Sequence, residues 1–368
     1  MSDIATPSTL RREERAVPLK NPVRRTGRLE FLDAVRGFAA LAVVISHALE
    51  RTPHSWSLPV NLGEFGVVTF FIVSGFIIPV SMERAGALKP FWVSRIFRLY
   101  PMYWVSLIFV LLLAWMHLSP LPPGFAVHQT RAVLLNVTML QQFVNIPNAL
   151  DSYWTLTLEL LFYFLCSFLF LRSWLSNSLV SAWASISVMA VSVLVAGIAF
   201  HRSLPAGWIG LLITAFWGTV LYRVYSGALK AKVLYPLIPA LALTLYVGFW
   251  FRFYLYPREY VLHLTTVCSS WALAYAVFAM FFLMRNRTFP EWTLWLGRIS
   301  YSLYLMHWIP LLLIPATWNP ILYLSLCLPL ALGSATLTYN FVEKPAIAIC
   351  RTRILPMVGG KKVPLPSA

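Results

Sequence analysis

Arg36 and His47 stand eleven residues apart inside an apolar stretch, RLEFLDAVRGFAALAVVISHAL, that runs from Arg28 to Leu49. At about 100° per residue, eleven steps make roughly three turns, which puts both side chains on one helix face about 16 Å apart along the axis. A guanidinium at one end can hold an anion, and an imidazole at the other can accept a proton near neutral pH. Asp33 precedes Arg36 by three residues, a spacing that pairs the two on one face. Charged groups inside a membrane helix are costly and mark pathways or reactive sites. Plainer roles stay open at this point: an interfacial anchor for Asp33 with Arg36, and a solvent-facing helix-end histidine for His47.

Further polar residues interrupt other apolar runs. In YWTLTLELLFYFL, Glu159 lies about one and a half turns into hydrocarbon from the outer side, at the depth expected for His47, with Tyr163 one turn on. A carboxylate aimed at a histidine fixes an imidazole for base work, so Glu159 is expected to orient His47 or else to make a structural hydrogen bond. Ser74, in NLGEFGVVTFFIVSGFIIPV, is expected to bond back to its own helix; it has no GxSxG elbow to make it a nucleophile. In FWVSRIFRLYPMYW, Arg95 and Arg98 are one turn apart at what reads as a helix start, a place suited to phosphate or to snorkelling toward anionic lipid. Arg298, Ser300, Tyr304 and His307 follow one another along WLGRISYSLYLMHWIPLLL, and Glu343 and Lys344 close the last apolar run. These groups sort by expected depth into two layers. The inner layer holds Asp33, Arg36, Arg95, Arg98, Arg298, Glu343 and Lys344, and the outer layer holds His47, Glu159 and His307.

The elements that must position them are membrane helices. The 368 residues are 59% hydrophobic and only 11% charged, against about 25% charged in soluble domains. Apolar runs near 31–49, 65–81, 99–117, 154–171, 178–200, 208–224, 233–251, 261–284, 293–314 and 321–342 are long enough to cross about 30 Å of hydrocarbon. The predicted fold is all-α, a polytopic bundle of about ten transmembrane helices with both termini cytoplasmic. Of the 29 Lys and Arg, 22 fall in gaps and tails assigned to the inner side and five, including Arg202 and Arg258, to the outer side, which sets that orientation. The net charge of +16 is thereby an orientation signal, and nucleic acid is not an expected partner. Residues 1–27 read as a disordered basic arm without a signal peptide, 28–347 as the membrane domain, and 348–368 as a short cytoplasmic tail. Residues 131–148 are too rich in Asn and Gln for a lipid-facing span and read as a surface or re-entrant helix packed on protein. Cys166, Cys268, Cys327 and Cys350 are isolated and show no metal-ligand spacing.

Six motifs in order, FLDAVRGFAALAVVISH, GVVTFFIVSGF, SRIFRLYPMYW, YWTLTLELLFY, GRISYSLYLMH and FVEKP, resemble the membrane-bound acyltransferase 3 family over residues 28–347. The resemblance implies an enzyme that moves an acyl group, usually acetyl, from cytoplasmic acyl-CoA to a hydroxyl, commonly on a carbohydrate. It maps the catalytic histidine onto His47, the first-span arginine onto Arg36, donor handling onto Arg95 and Arg98, and the fourth-span glutamate onto Glu159. Where the family pattern commonly reads SLxxE, this chain has Thr155-Leu156-Thr157-Leu158-Glu159. It further implies that some members carry a soluble esterase-like domain after the bundle, so a second transfer step here is expected to need another protein. The expected donor is acetyl-CoA as co-substrate with no bound cofactor and no metal. Arg36 and Arg298 are candidate further donor ligands, and Asp33, Ser74, Tyr163 and His307 are candidate lining residues. The expected acceptor is an exopolysaccharide or O-antigen unit, possibly lipid-linked, at the bacterial inner membrane; a small glycoside such as a macrolide sugar is the alternative. A neutral His47 is required for base catalysis, so activity is expected to fall in acid. A proton-coupled transporter using Glu159, His47 and His307 is the alternative of another class, and it would call for inverted halves that the sequence does not display.

Overall fold

The computed structural model describes residues 29–53, 58–122, 124–125, 129–201, 204–255, 262–317 and 319–359. The basic arm over 1–27, the end of the tail, Arg202 and Arg258 lie outside the described residues. Among the described residues the bundle is organised by α1 (Glu30–Arg51), α2 (Leu62–Ala85), α3 (Leu88–Trp115), α4 (Gln129–Val137), α5 (Tyr153–Leu171), α6 (Ser178–Ile198), α7 (Ala206–Tyr225), α8 (Leu234–Trp250), α9 (Leu264–Leu283), α10 (Glu291–Met306), α11 (Trp308–Leu313) and α12 (Pro320–Thr338). Among the described residues there is no strand, and nine helical segments are long and apolar enough to cross a membrane. The range read as a ninth span is helical over Glu291–Met306 and Trp308–Leu313, and His307 between them keeps helical dihedrals (φ −61°, ψ −26°) with its N–H donating to the Leu303 carbonyl. The α12 helix continues through a π-helical turn, Tyr339–Glu343, into a short helix at Lys344–Ile349.

Two helices form the centre. The α1 helix packs along α10 on one side and α2 on the other, while α2 also packs on α7 and α9. Small residues make these crossings possible, because an apolar environment leaves close van der Waals contact to hold helices together. A methyl group added at Gly297 would overlap the Asp33 carbonyl oxygen, and one at Gly75 would overlap the carbonyl oxygen of Ala215 on α7. Backbone therefore lies on backbone at both places. Large apolar side chains point outward from the peripheral helices, among them Ile108, Trp115, Val188, Leu283 and Leu326. Such an exterior is expected where lipid, not water, surrounds the bundle.

Residues 131–148 form no crossing. The α4 helix has nine residues and is followed by one tight turn, Gln141–Val144. The Asn136 amide is spent on the chain itself. It donates to the carbonyls of Ala132 (2.9 Å) and Pro147 (3.0 Å) while its oxygen accepts from the Ala149 N–H (2.9 Å). Tyr103 of α3 donates to the Asn136 carbonyl (2.5 Å), and Thr157 of α5 donates to that of Met139 (2.8 Å). The segment is thus a plug tied to α3 and α5, satisfying polar groups that lipid could not.

Candidate active site

The polar residues gather in two places along α1. Around Arg36, five helices surround a cavity whose empty space, open solvent at its mouth included, is about 830 Å³. Arg36 comes from α1, Ser74 from α2, Arg95 and Arg98 from α3, Thr155, Glu159 and Tyr163 from α5, and Ser300, Tyr301 and Tyr304 from α10; Val67, Phe70 and Phe71 supply apolar wall. The Tyr301 hydroxyl donates to the Leu99 carbonyl (2.8 Å), tying α10 to α3 beside the arginines. Arg95 is only 8% exposed. It donates to Ser81 Oγ (2.5 Å), and its guanidinium sits over the rings of Phe91 (5.4 Å) and Tyr163 (5.8 Å). Glu159 shares the wall with the three guanidinium groups, and Asp33 and Glu343 act electrostatically on Arg36 from outside the lining. Three guanidinium groups gathered on one cavity wall make a donor set suited to an anionic group such as a phosphate ester.

Several expectations change here. Glu159 does not reach His47. Its Oε1 accepts from the Tyr163 hydroxyl (2.5 Å) and lies 3.5 Å from Ser74 Oγ. Glu159 therefore belongs with the arginines, because α5 crosses α2 near Ser74 and turns this carboxylate inward there. Ser74 faces the cavity. Arg95 and Arg98 are not at a helix start: α3 begins at Leu88, so Arg95 lies in its third turn and no free N–H groups of a helix end adjoin the pair. Arg298 is a surface partner of Glu291 (2.5 Å) and is absent from the cavity lining. Asp33 is buried at 7% exposure beside the Gly37–Gly297 crossing, outside the lining. Glu343 is buried and accepts from Ser302 Oγ (2.7 Å).

The second cluster surrounds His47. Its Nδ1 lies 3.2 Å from Glu50 Oε2, and Glu50 also accepts from Ser46 (2.9 Å) and Asn61 (3.1 Å). The carboxylate that orients this imidazole is thus Glu50, one turn on in the same helix, a spacing visible in the sequence but overshadowed by the deeper Glu159. With Nδ1–H donated to Glu50, the Nε2 lone pair of His47 is available as a base. His307 stacks on His47 with ring centroids 5.4 Å apart and planes 11° from parallel, and Trp308 closes the group at 4.8 Å from His47. Tyr304 joins the two clusters. It lines the cavity, its ring is 6.2 Å from that of His307, and its hydroxyl is held by Thr155 Oγ1 (2.6 Å) and the Ser152 carbonyl (3.1 Å). Among the described residues, no group of three His, Cys, Asp or Glu side chains could hold a metal ion, and all four cysteines are free.

An arginine-lined chamber, an oriented imidazole and a shared wall between them offer groups able to hold an anion and to accept a proton. Comparison with known proteins agrees on the class. ORF330 of Acidianus two-tailed virus, whose name proposes an acetyltransferase, is 23% identical over 282 residues, 74% of this chain and 80% of that protein. Nodulation protein 10 of Rhizobium leguminosarum bv. viciae is 24% identical over 88% of this chain and 95% of its own length. Acyltransferase MdmB of Streptomyces mycarofaciens is 26% identical over 150 residues, 38% of each chain. No solved structure matches the chain. Residues 29–340 match the acyltransferase domain model of the acyltransferase 3 type, and the chain belongs to that family.

Proposed function

We propose that this membrane acyltransferase is an O-acetyltransferase of the bacterial inner membrane, taking the acyl group from cytoplasmic acetyl-CoA and delivering it to a carbohydrate hydroxyl. The observation that carries the reading is the chamber whose wall brings Arg36, Arg95 and Arg98 together from α1 and α3. Phosphates of the donor would bind there, on the side assigned to the cytoplasm by the charge distribution. The pantetheine arm, long and thin, would run along α1 past Tyr304, covering the roughly 16 Å between Arg36 and His47. His47 Nε2 would take the proton of the acceptor hydroxyl, and the oxygen would attack the thioester carbonyl directly.

Placement of His47 toward the outer end of α1 favours an acceptor presented from outside or within the membrane, such as a lipid-linked or exported sugar unit. The test is transfer of label from radiolabelled acetyl-CoA by purified protein in membranes of its own host. Label should appear in the carbohydrate fraction with wild type and vanish with His47→Ala. Equal labelling by His47→Ala sinks the mechanism, and no acetyl-CoA consumption by wild type sinks the donor assignment.

A further inference from the structure

Two buried polar atoms beside His47 have no partner in the protein. His307 is fully buried, and its Nδ1 lies 3.1 Å from the Leu303 carbonyl oxygen. A ring nitrogen facing a carbonyl must carry the hydrogen, so Nε2 of the neutral ring is a bare acceptor, and it has no hydrogen-bond partner. Trp308 is 7% exposed, and its indole Nε1–H, a donor only, is likewise buried without one. A buried donor or acceptor left without a partner is unfavourable. The rings of His307 and Trp308 are 5.4 Å apart, and both stack or lean on His47. One acceptor and one donor left open next to an oriented imidazole call for a ligand offering a hydroxyl and a carbonyl oxygen.

We propose that Trp308 is a catalytic residue whose Nε1–H donates to the acyl carbonyl oxygen as that oxygen becomes negative, while the bare Nε2 of His307 receives a hydroxyl of the acceptor. This inference rests on the acyl-transfer reading above. In the step, His47 Nε2 takes the proton of the attacking hydroxyl. The oxygen forms a bond to the thioester carbon, and the carbonyl π pair moves onto oxygen, where the indole N–H meets it. Collapse of the tetrahedral intermediate restores the carbonyl and breaks the C–S bond, and the departing thiolate takes the proton from His47. Ester and free thiol leave, and the protein is unchanged. A donor of this kind is worth most where water is excluded, as it is around two buried rings. Trp308 directly follows His307 along the α10–α11 path, and both rings lie against His47 of α1.

The test compares wild type with Trp308→Phe and with Trp308 replaced by 3-benzothienylalanine, which keeps the ring size and stacking but has sulfur where the N–H was. Purified protein in detergent is given acetyl-CoA with its native membrane fraction as acceptor, and release of free CoA thiol is followed. Both variants should lose about 10²-fold in turnover, with the KM for acetyl-CoA within about threefold of wild type, because the interaction forms only in the transition state. Full turnover by the benzothienylalanine protein overturns the proposal, whatever Trp308→Phe does, since packing alone then explains the tryptophan. A rise in KM with unchanged turnover overturns it too. Absence of thiol release by wild type is a different result, and it refutes the acyl-CoA reading instead.

Discussion

Replacing Arg98 with alanine separates donor recognition from chemistry. Arg98 lines the cavity with Arg36 and Arg95, and Arg95 is already engaged by Ser81, Phe91 and Tyr163. A hydrogen bond to a charged group contributes about 1.5–3 kcal/mol, which corresponds to roughly 10- to 150-fold in affinity. If the chamber holds the phosphates of acetyl-CoA, Arg98→Ala should raise the KM for that donor by such a factor. Turnover at saturation should stay within about threefold, because phosphate binding is the same in ground and transition states. Acetyl-pantetheine, which carries the thioester but no phosphate, supplies the control. Its KM should be high with wild type and unchanged by the substitution. Initial rates of thiol release over a range of both donors measure all four constants. An equal change for the two donors would mean that Arg98 acts on the fold or on the thioester, and the chamber would lose its assignment as a phosphate site.

Glu50→Gln should lower turnover by about 10-fold or more while leaving both KM values near wild type, since a neutral amide no longer stabilises the imidazolium that forms on His47; steady-state kinetics checks it. Gly75→Ala pushes a methyl group into the Ala215 carbonyl, and the forced shift of α2 against α7 should cost about 1–3 kcal/mol, read as a lower melting temperature in detergent. Asn136→Leu removes the group that satisfies Ala132, Pro147 and Ala149. It should destabilise the plug by about 1–3 kcal/mol and expose residues 129–150 to protease, which limited proteolysis with mass spectrometry will show.

Sequence alone determined the class of fold, because hydrocarbon imposes its demands locally. A span needs enough consecutive apolar residues to satisfy its backbone within itself, and that requirement is legible in any single run. Helix geometry likewise put Arg36 and His47 on one face of α1, since residues on one helix are related by a fixed angle and rise. The amide-rich stretch around Asn136 could be excluded as a span on polarity alone. What could not be read was anything depending on how one helix sits beside another. Depth estimates placed Glu159 with His47, but the α5 crossing beside Ser74 delivers it to Tyr163 and the arginines. Extension of α3 back to Leu88 removed the helix end that the Arg95–Arg98 pair had been read as using. Arg298, nominally one of the inner cations, turned to Glu291 instead. The reason is physical: side-chain partners across helices are set by crossing points, and those are chosen by close contacts such as Gly37 on Gly297 and Gly75 on Ala215, which involve residues far apart in the chain. Only the tertiary structure could bring His307 and Trp308 onto His47, because that contact depends on how α10 packs along α1, which nothing local to either segment sets.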